Sequence, residues 1–326
     1  MKPGKTPSIT IVGGMTLDLA LWLPELPAAG TIGRAERGEF FSGGKGFSQA
    51  VCARRCGANV TMVGVLGNDP FASIFLDTFE NEGIDSSHVF RAPVGTSLTF
   101  PMFHPNGEHA LIGLSRSNRY LQPEDILHAK SAIKDADAAL IQLEIPLETA
   151  LQAIRLAGKF QRTVFVNPSP VREDFKPYLT GEKKVDNTPL QLDWLILNQD
   201  EAEKILNRTL SSIEEALKYG AGLLYPAVRK GVVITMGEKG AVLISPEISL
   251  YQPAFPTRTV YPIGAGDAFA AAFAVRIIQQ DPLEQSLRFA AAAGALAAAR
   301  FGGADSQPSF SEVQHLLAAY PDLNPQ

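Results

Sequence analysis

An α/β fold with a mostly parallel central sheet, plus a small separate β-sheet, is what this sequence predicts. Three observations carry that prediction. From residue 138 onward short apolar runs alternate with helical stretches, the rhythm of strands joined by helical crossovers. The run at 8–12 finishes on Gly13-Gly14 and is followed by Asp18, beyond the carboxyl end of a strand, where ligands of open α/β sheets bind. Two segments, about 19–42 and 95–118, break the rhythm with prolines, turns and short strand-like runs. The 326 residues would suit one large α/β domain or two ordinary ones; we read them as a single domain, 1–326.

Composition narrows the function. Hydrophobic residues make up 45% and charged residues 19%, which suits a large buried core. The net charge of −5 offers no basic surface for nucleic acid or an anionic membrane, although a local basic pocket for phosphate remains compatible with it. The first seven residues are polar and lead straight into the 8–12 run, without the apolar stretch of a secretory signal. The longest apolar run, 289–299, lies between Arg288 and Arg300 and is about half of what crosses a bilayer, so it reads as a buried helix. Cys52 and Cys56 share a helical face with no further Cys/His set nearby, and read as buried thiols. Together these features point to a cytoplasmic protein.

In chain order, 8–12 is a buried strand and Asp18 follows in the turn beyond it. Segment 19–41 holds Pro24, Pro27 and Gly30 between short strands; segment 97–114 places 98–103 and 110–112 around Asn106-Gly107, a hairpin-turn dipeptide. With those two residues at the centre of the turn, His104 and His109 would face each other as a polar surface pair. Residues 60–66 form a strand and 70–82 a helix, capped from Asn68-Asp69. Residues 88–91 lead back to the small sheet, and 122–125 open a helix with acids in its first turn. Strands follow at 138–142, 163–167, 193–198 and 231–236, with a polar excursion at 174–190. Glu144 stands just past the 138–142 strand between apolar neighbours, where a charge needs a reason. The helix over 283–300 ends at Phe301-Gly302-Gly303.

The chain is organised around residues 262–273, where Gly264-Ala265-Gly266-Asp267 opens an Ala-rich helix. Glycines let the backbone bend closely around a ligand, and the first helical N–H groups lack carbonyl partners. With the helix dipole, this favours a phosphate or a developing oxyanion. Asp267 could simply cap the helix. Placed where phosphate would bind, it makes better sense as a base that takes the proton of an attacking hydroxyl. Upstream, Gly43-Gly44-Lys45-Gly46-Phe47-Ser48-Gln49-Ala50 is a second glycine-rich start of a helix, which lets backbone approach a substrate hydroxyl. Lys45 either neutralises phosphate charge or is a solvated lysine.

These two motifs, in this order and about 220 residues apart, resemble the C-terminal and N-terminal signatures of the ribokinase-like (PfkB) carbohydrate kinases. The resemblance covers nearly the whole chain. It implies a three-layer sandwich with a mostly parallel central sheet and a β-sheet lid, which in some members also makes a dimer interface. It implies ATP and Mg²⁺ and a sugar or nucleoside substrate. Asp18, Gly43, Gly44, Lys45, Ser48 and Glu144 would then contact or orient the substrate, with Asp267, Gly264, Ala265 and Gly266 as the catalytic group. Asn198 with Glu201 resembles the family's Asn-x-x-Glu element, which helps hold hydrated Mg²⁺; the same pair also spells a capping box. Thr235, Gly237 and Gly240 would meet the nucleotide phosphates, unless they form a plain hairpin turn, and Gly302 would lie near the adenine.

The chain departs from the family pattern at four positions. Thr16 and Ser48 stand where sugar-gripping asparagines are usual. Tyr261 and Ile263 stand where members activated by a monovalent cation carry Asp and Thr, so weak or no potassium activation is expected. The expected activity is ATP-dependent phosphorylation of a primary hydroxyl of a sugar, ribokinase-like, with a nucleoside or hexose/keto-sugar kinase as the alternative. A non-catalytic sugar- or nucleotide-binding regulator is the alternative of another class. A nicotinamide enzyme is disfavoured because Gly13-Gly14-Met15 lacks the three-glycine fingerprint.

Overall fold

The computed structural model describes residues 6–105, 109–224 and 227–326. Its strands, in chain order, are β1 (Ser8–Val12), β2 (Thr16–Trp22), β3 (Arg37–Gly43), β4 (Asn59–Gly67), β5 (Asp85–Ala92), β6 (Ser97–Phe103), β7 (His109–Leu114), β8 (Ala138–Gln142) and β9 (Thr163–Asn167). There follow a two-stranded ribbon, β10 (Lys184–Val185) and β11 (Thr188–Pro189), then β12 (Leu192–Asn198), β13 (Val228–Thr235), β14 (Ala241–Ile244) and β15 (Ser249–Gln252). Nine of them form one sheet in the order β15-β14-β13-β12-β9-β8-β1-β4-β5, and four form the small sheet, β3-β2-β6-β7.

From β13 to β5 every pairing in the large sheet is parallel, and β14 and β15 add an antiparallel edge. Alternation along each strand feeds two cores. Ile9 and Ile11 of β1, and Ala138 and Leu140 of β8, face one side; Val12, Ala139 and Ile141 face the other. The helices Lys45–Arg55, Ala265–Ile278 and Leu283–Ala298 cover the first side, and Leu147–Lys159 and Gln199–Leu206 the second. The Ala265–Ile278 helix is buried nearly all round, because it lies against both neighbouring helices as well as the sheet. None of the described helices is long and apolar enough to cross a membrane.

Chain connections run from β1 to β4 and β5 on one side, and to β8, β9, β12 and β13 on the other. The order therefore reverses beside β1, and the carboxyl ends of β1 and β8 open a crevice there. This is where the site lies.

Several sequence expectations are corrected. Asp18 lies inside β2, not in a turn: the lid sheet starts at Thr16, two residues after Gly13-Gly14. Residues 88–91 belong to β5, the edge of the large sheet, instead of leading to the lid. Asp69 does not cap the Phe71–Glu82 helix; its carboxylate accepts from the Thr96 N–H at 2.6 Å and the Thr96 hydroxyl at 2.7 Å. The register pairs His109 with Phe103, not His104, and Asn106-Gly107 lies outside the described residues. The Leu283–Ala298 helix is capped at Ala299, not by a glycine.

Candidate active site

The two glycine motifs meet beneath the lid. The Ala265–Ile278 helix begins at Gly264, whose φ of 90° is left-handed and costs little only for glycine. No side chain caps it, so Asp267 is not the N-cap. The Ala265 N–H bends back to the Pro262 carbonyl at 3.3 Å, which corrects the expectation that it is open. The N–H groups of Gly266 and Asp267 have no acceptor among the described residues, and both residues line the cavity. Gly44, with φ 88°, makes the other tight approach: a Cβ there would sit 2.6 Å from the Thr16 nitrogen.

A cavity of about 1910 Å³ unites these elements. Its wall includes Asp18, Gly43, Gly44, Lys45, Ser48 and Glu144 together with Asn198, Glu201, Thr235, Gly237 and Gly240. Gly264, Ala265, Gly266 and Asp267 line it too. The volume exceeds that of a typical single-ligand pocket, roughly 300–1,000 Å³, and suits two substrates meeting end to end. Of the Gly302-Gly303 loop, Gly303 lines the cavity and Gly302 does not. A Cβ on Gly303 would lie 2.2 Å from the Ser42 carbonyl, so this loop presses against lid strand β3.

Charge in the cavity is unbalanced. Asp267, Glu144 and Glu201 approach Lys45, which is not a freely solvated lysine, and Asp18 faces Glu144 and Asp267. Burial alone would lower its ammonium, but Asp267 and Glu144 outweigh that and raise it. Burial, then the nearby Glu144, pushes Asp18 up to about 7. Burial also pushes Glu144 up to about 7 against the pull of Lys45. Asp267 is raised by burial, partly offset by Lys45 and by a hydrogen bond from Gln49. Raised carboxylates clustered in a cleft mark a functional site.

Individual contacts settle some open readings. Glu144 Oε2 accepts the Lys45 backbone N–H at 2.7 Å and so ties the strand end to the neighbouring loop. Asn198 and Glu201 do form a capping box: Glu201 N–H donates to Asn198 Oδ1 at 2.8 Å, and Asn198 N–H to Glu201 Oε2 at 2.9 Å. The 236–240 turn is a hairpin turn between β13 and β14, and it also lines the cavity. Cys52 and Cys56 are buried free thiols.

Four residues went unassigned in the sequence: Gln49, Asn118, Gln142 and Asn167. Asn118 Oδ1 accepts the Met15 N–H at 3.1 Å, and Gln49 is hydrogen-bonded to Asn167, to Gln142 and to Asp267. For Gln49, Gln142 and Asn167 the only signal was an amide inside the first glycine motif or at the end of an apolar strand; Asn118, in the short helix Ser117–Tyr120, had none.

Comparison with known proteins agrees with this geometry. The family described as pfkB family carbohydrate kinase matches residues 6–309. A ribokinase of Bacillus subtilis is 30% identical over 311 residues, covering 95% of this chain and 99% of its own. A deoxyribokinase of Salmonella typhimurium is 28% identical over 312 residues, covering 95% and 98%. The structure of Arabidopsis thaliana ribokinase complexed with ribose and ATP superposes with a TM-score of 0.83 at 26% identity, covering 96% of this chain and 99% of that one. The lid sheet, the parallel sheet and the paired glycine motifs thus have one explanation: this chain belongs to the pfkB family of carbohydrate kinases, and is ribokinase-like in sequence and fold.

Proposed function

We propose that this kinase transfers the terminal phosphoryl group of ATP to the primary hydroxyl of a pentose, ribose or 2-deoxyribose. The observation that carries the reading is the place of Asp267. It is a buried acid at an uncapped helix start, in one cavity with the lid acid Asp18 and with the Thr235–Gly240 turn. The names of the relatives, ribokinase and deoxyribokinase, support the sugar class.

In this reading Asp18 and Glu144 orient the sugar, and the substrate oxygen attacks the terminal phosphorus. The bond from that phosphorus to the bridging oxygen breaks, ADP leaves, and the hydroxyl proton passes to Asp267. The Gly266 and Asp267 N–H groups stabilise charge on the transferring group. Mg²⁺ would neutralise phosphate oxygens when bound with the nucleotide. The donor set fits a hydrated ion: among the described residues no three His, Cys, Asp or Glu side chains are placed to hold a metal ion together, and Glu201 has one oxygen committed to Asn198. Asn198 and Glu201 would therefore order its waters more than ligate it.

The reading is tested by ADP release over a panel of pentoses, hexoses and nucleosides. We expect ribose or 2-deoxyribose to give the highest kcat/KM, and one hydroxyl of difference between them to count for about tenfold or more. A nucleoside or hexose as the best substrate would overturn it.

Potassium activation is a second test. Tyr261 is fully buried, packed against Phe41, Phe103 and Phe301 at 5.3–6.1 Å between ring centroids, and its hydroxyl has no partner among the described residues. Burial, then Asp18, pushes the phenol up, so it stays neutral and supplies no anionic oxygen. Replacing sodium with potassium is expected to change kcat by less than about twofold, since a hard cation needs several oxygen ligands. A manyfold rise would sink that expectation.

A further inference from the structure

Three buried amides lie behind Asp267. Gln49 and Gln142 are fully buried, and Asn167 is 7% exposed. Burying an amide is costly unless its donors and acceptors are matched. Here the matching has a direction. The Ile196 carbonyl can only accept, and Asn167 Nδ2 donates to it at 2.9 Å. Asn167 must therefore turn Oδ1 toward Gln49, whose Nε2 donates to it at 3.0 Å. The same Nε2 donates to Asp267 Oδ1, also at 3.0 Å, which uses both of its hydrogens. Gln49 Oε1 then accepts from Gln142 Nε2 at 3.1 Å. Flipping the Gln49 amide would set an oxygen against both Asn167 Oδ1 and the carboxylate, and an NH₂ against the Gln142 donor.

The backbone supports this arrangement. Gln49 lies one helical turn beyond Lys45, so both reach Asp267 from one face of the Lys45–Arg55 helix. Gly13 leaves room for Gln142: a Cβ there would fall 1.5 Å from Gln142 Oε1. Asp267 Oδ2 receives no hydrogen bond from the described residues, and Asp267 lines the cavity.

We infer that Gln49, held in one orientation by Asn167 and braced by Gln142, whose own Oε1 has no partner among the described residues, is a positioning residue: it holds Asp267 Oδ1 so that Oδ2 is presented to the substrate hydroxyl. This rests on the reading of Asp267 as the base. The other titratable groups around Asp267 are Lys45 and the buried Cys52 thiol on the same helix as Gln49, Asp18 on β2, Glu144 after β8 and Glu201 on the Gln199–Leu206 helix. All remain in the variants below.

The test compares Gln49→Met, Gln142→Met and Asp267→Asn with the wild-type enzyme by kcat and kcat/KM across pH 5.5–9, ATP KM and melting temperature. Gln49→Met keeps the volume and removes the donor. We expect kcat to fall about 10- to 100-fold with ATP KM within about twofold, and the acidic limb of the kcat profile to move up by about one pH unit, because the ionised base loses a hydrogen bond. Gln142→Met frees only the far side of Gln49, and about a fivefold fall is expected. A folded Gln49→Met enzyme whose acidic limb does not move, whatever its melting temperature, overturns the inference. Should that variant not fold, wild-type kcat in Gln142→Met overturns it instead. If Asp267→Asn keeps wild-type turnover the base reading falls too; if Asp267→Asn is inactive while Gln49→Met matches wild type, only the positioning role falls.

Discussion

Asp267→Asn should lower kcat by roughly 10³-fold, within the range that a positioned base contributes, while leaving ATP binding within about twofold of wild type. The two effects separate because different atoms are involved. The open N–H groups at the helix start belong to the backbone of Gly266 and Asp267 and survive the substitution. The asparagine oxygen can still accept from Gln49, so the side chain keeps its place. What is lost is an atom able to take a proton. Nor should the variant be less stable at neutral pH, since a carboxyl raised by burial is replaced with a neutral amide. ADP release at saturating sugar, with calorimetric titration of ATP, measures both quantities. Turnover near wild type would remove Asp267 from the chemistry altogether.

How far the sequence could foresee this site follows from the range over which each signal acts. Strands β1, β8 and β9 begin and end where their apolar runs do, because both faces of a central strand are buried and polar residues stop them. The edge strand β5 has the sequence Asp-Ser-Ser-His-Val-Phe-Arg-Ala and is half exposed, so it resembled a lid segment. Strand β2 hid behind Gly13-Gly14: a turn that tight lets a lid strand start two residues after the turn, which put Asp18 on a strand. Asp267, Asp18 and Lys45 were legible because each lies in or beside a short glycine motif. The amide cluster was not, because Gln49, Gln142 and Asn167 are 93 and 118 residues apart and meet only once β8 and β9 are paired under the Lys45–Arg55 helix. Gly302 and Gly303 are adjacent and identical in composition; only the backbone path, with φ 124° at Gly302, decides which one meets the cavity.

Asp18→Asn should impair catalysis and stabilise the sugar-free protein, and the second effect should depend on pH. With its folded value raised to about 7 from an ordinary 3.8, Asp18 holds its proton more tightly in the native state than in the unfolded one. Stability from this group is therefore greatest below about pH 4 and is lost as pH rises toward 7. Three units correspond to about 4 kcal/mol, an upper figure because Asp18 and Glu144 raise each other. Asparagine carries no such penalty. The variant should melt several degrees above wild type at pH 8, with the gap shrinking toward pH 5. Glu312 does not confuse the comparison. Despite partial burial, Arg300 and the Ser309 cap hold it down to about 2, so its contribution is present above its ordinary value and is lost only as pH falls toward 2. The functional loss should run the other way: at roughly 1.5–3 kcal/mol for each charged hydrogen bond, two sugar hydroxyls released from Asp18 would lower kcat/KM by about 10²- to 10⁴-fold. Sugar binding should accordingly raise the melting temperature of the wild type more at pH 8 than at pH 5, because the ionised carboxylate is the form that sugar hydroxyls satisfy. Scanning calorimetry of both proteins at the two pH values, with and without sugar, reads all of this; an equal melting difference at pH 5 and pH 8, or an unimpaired kcat/KM, would mean that Asp18 is not the group that receives the substrate.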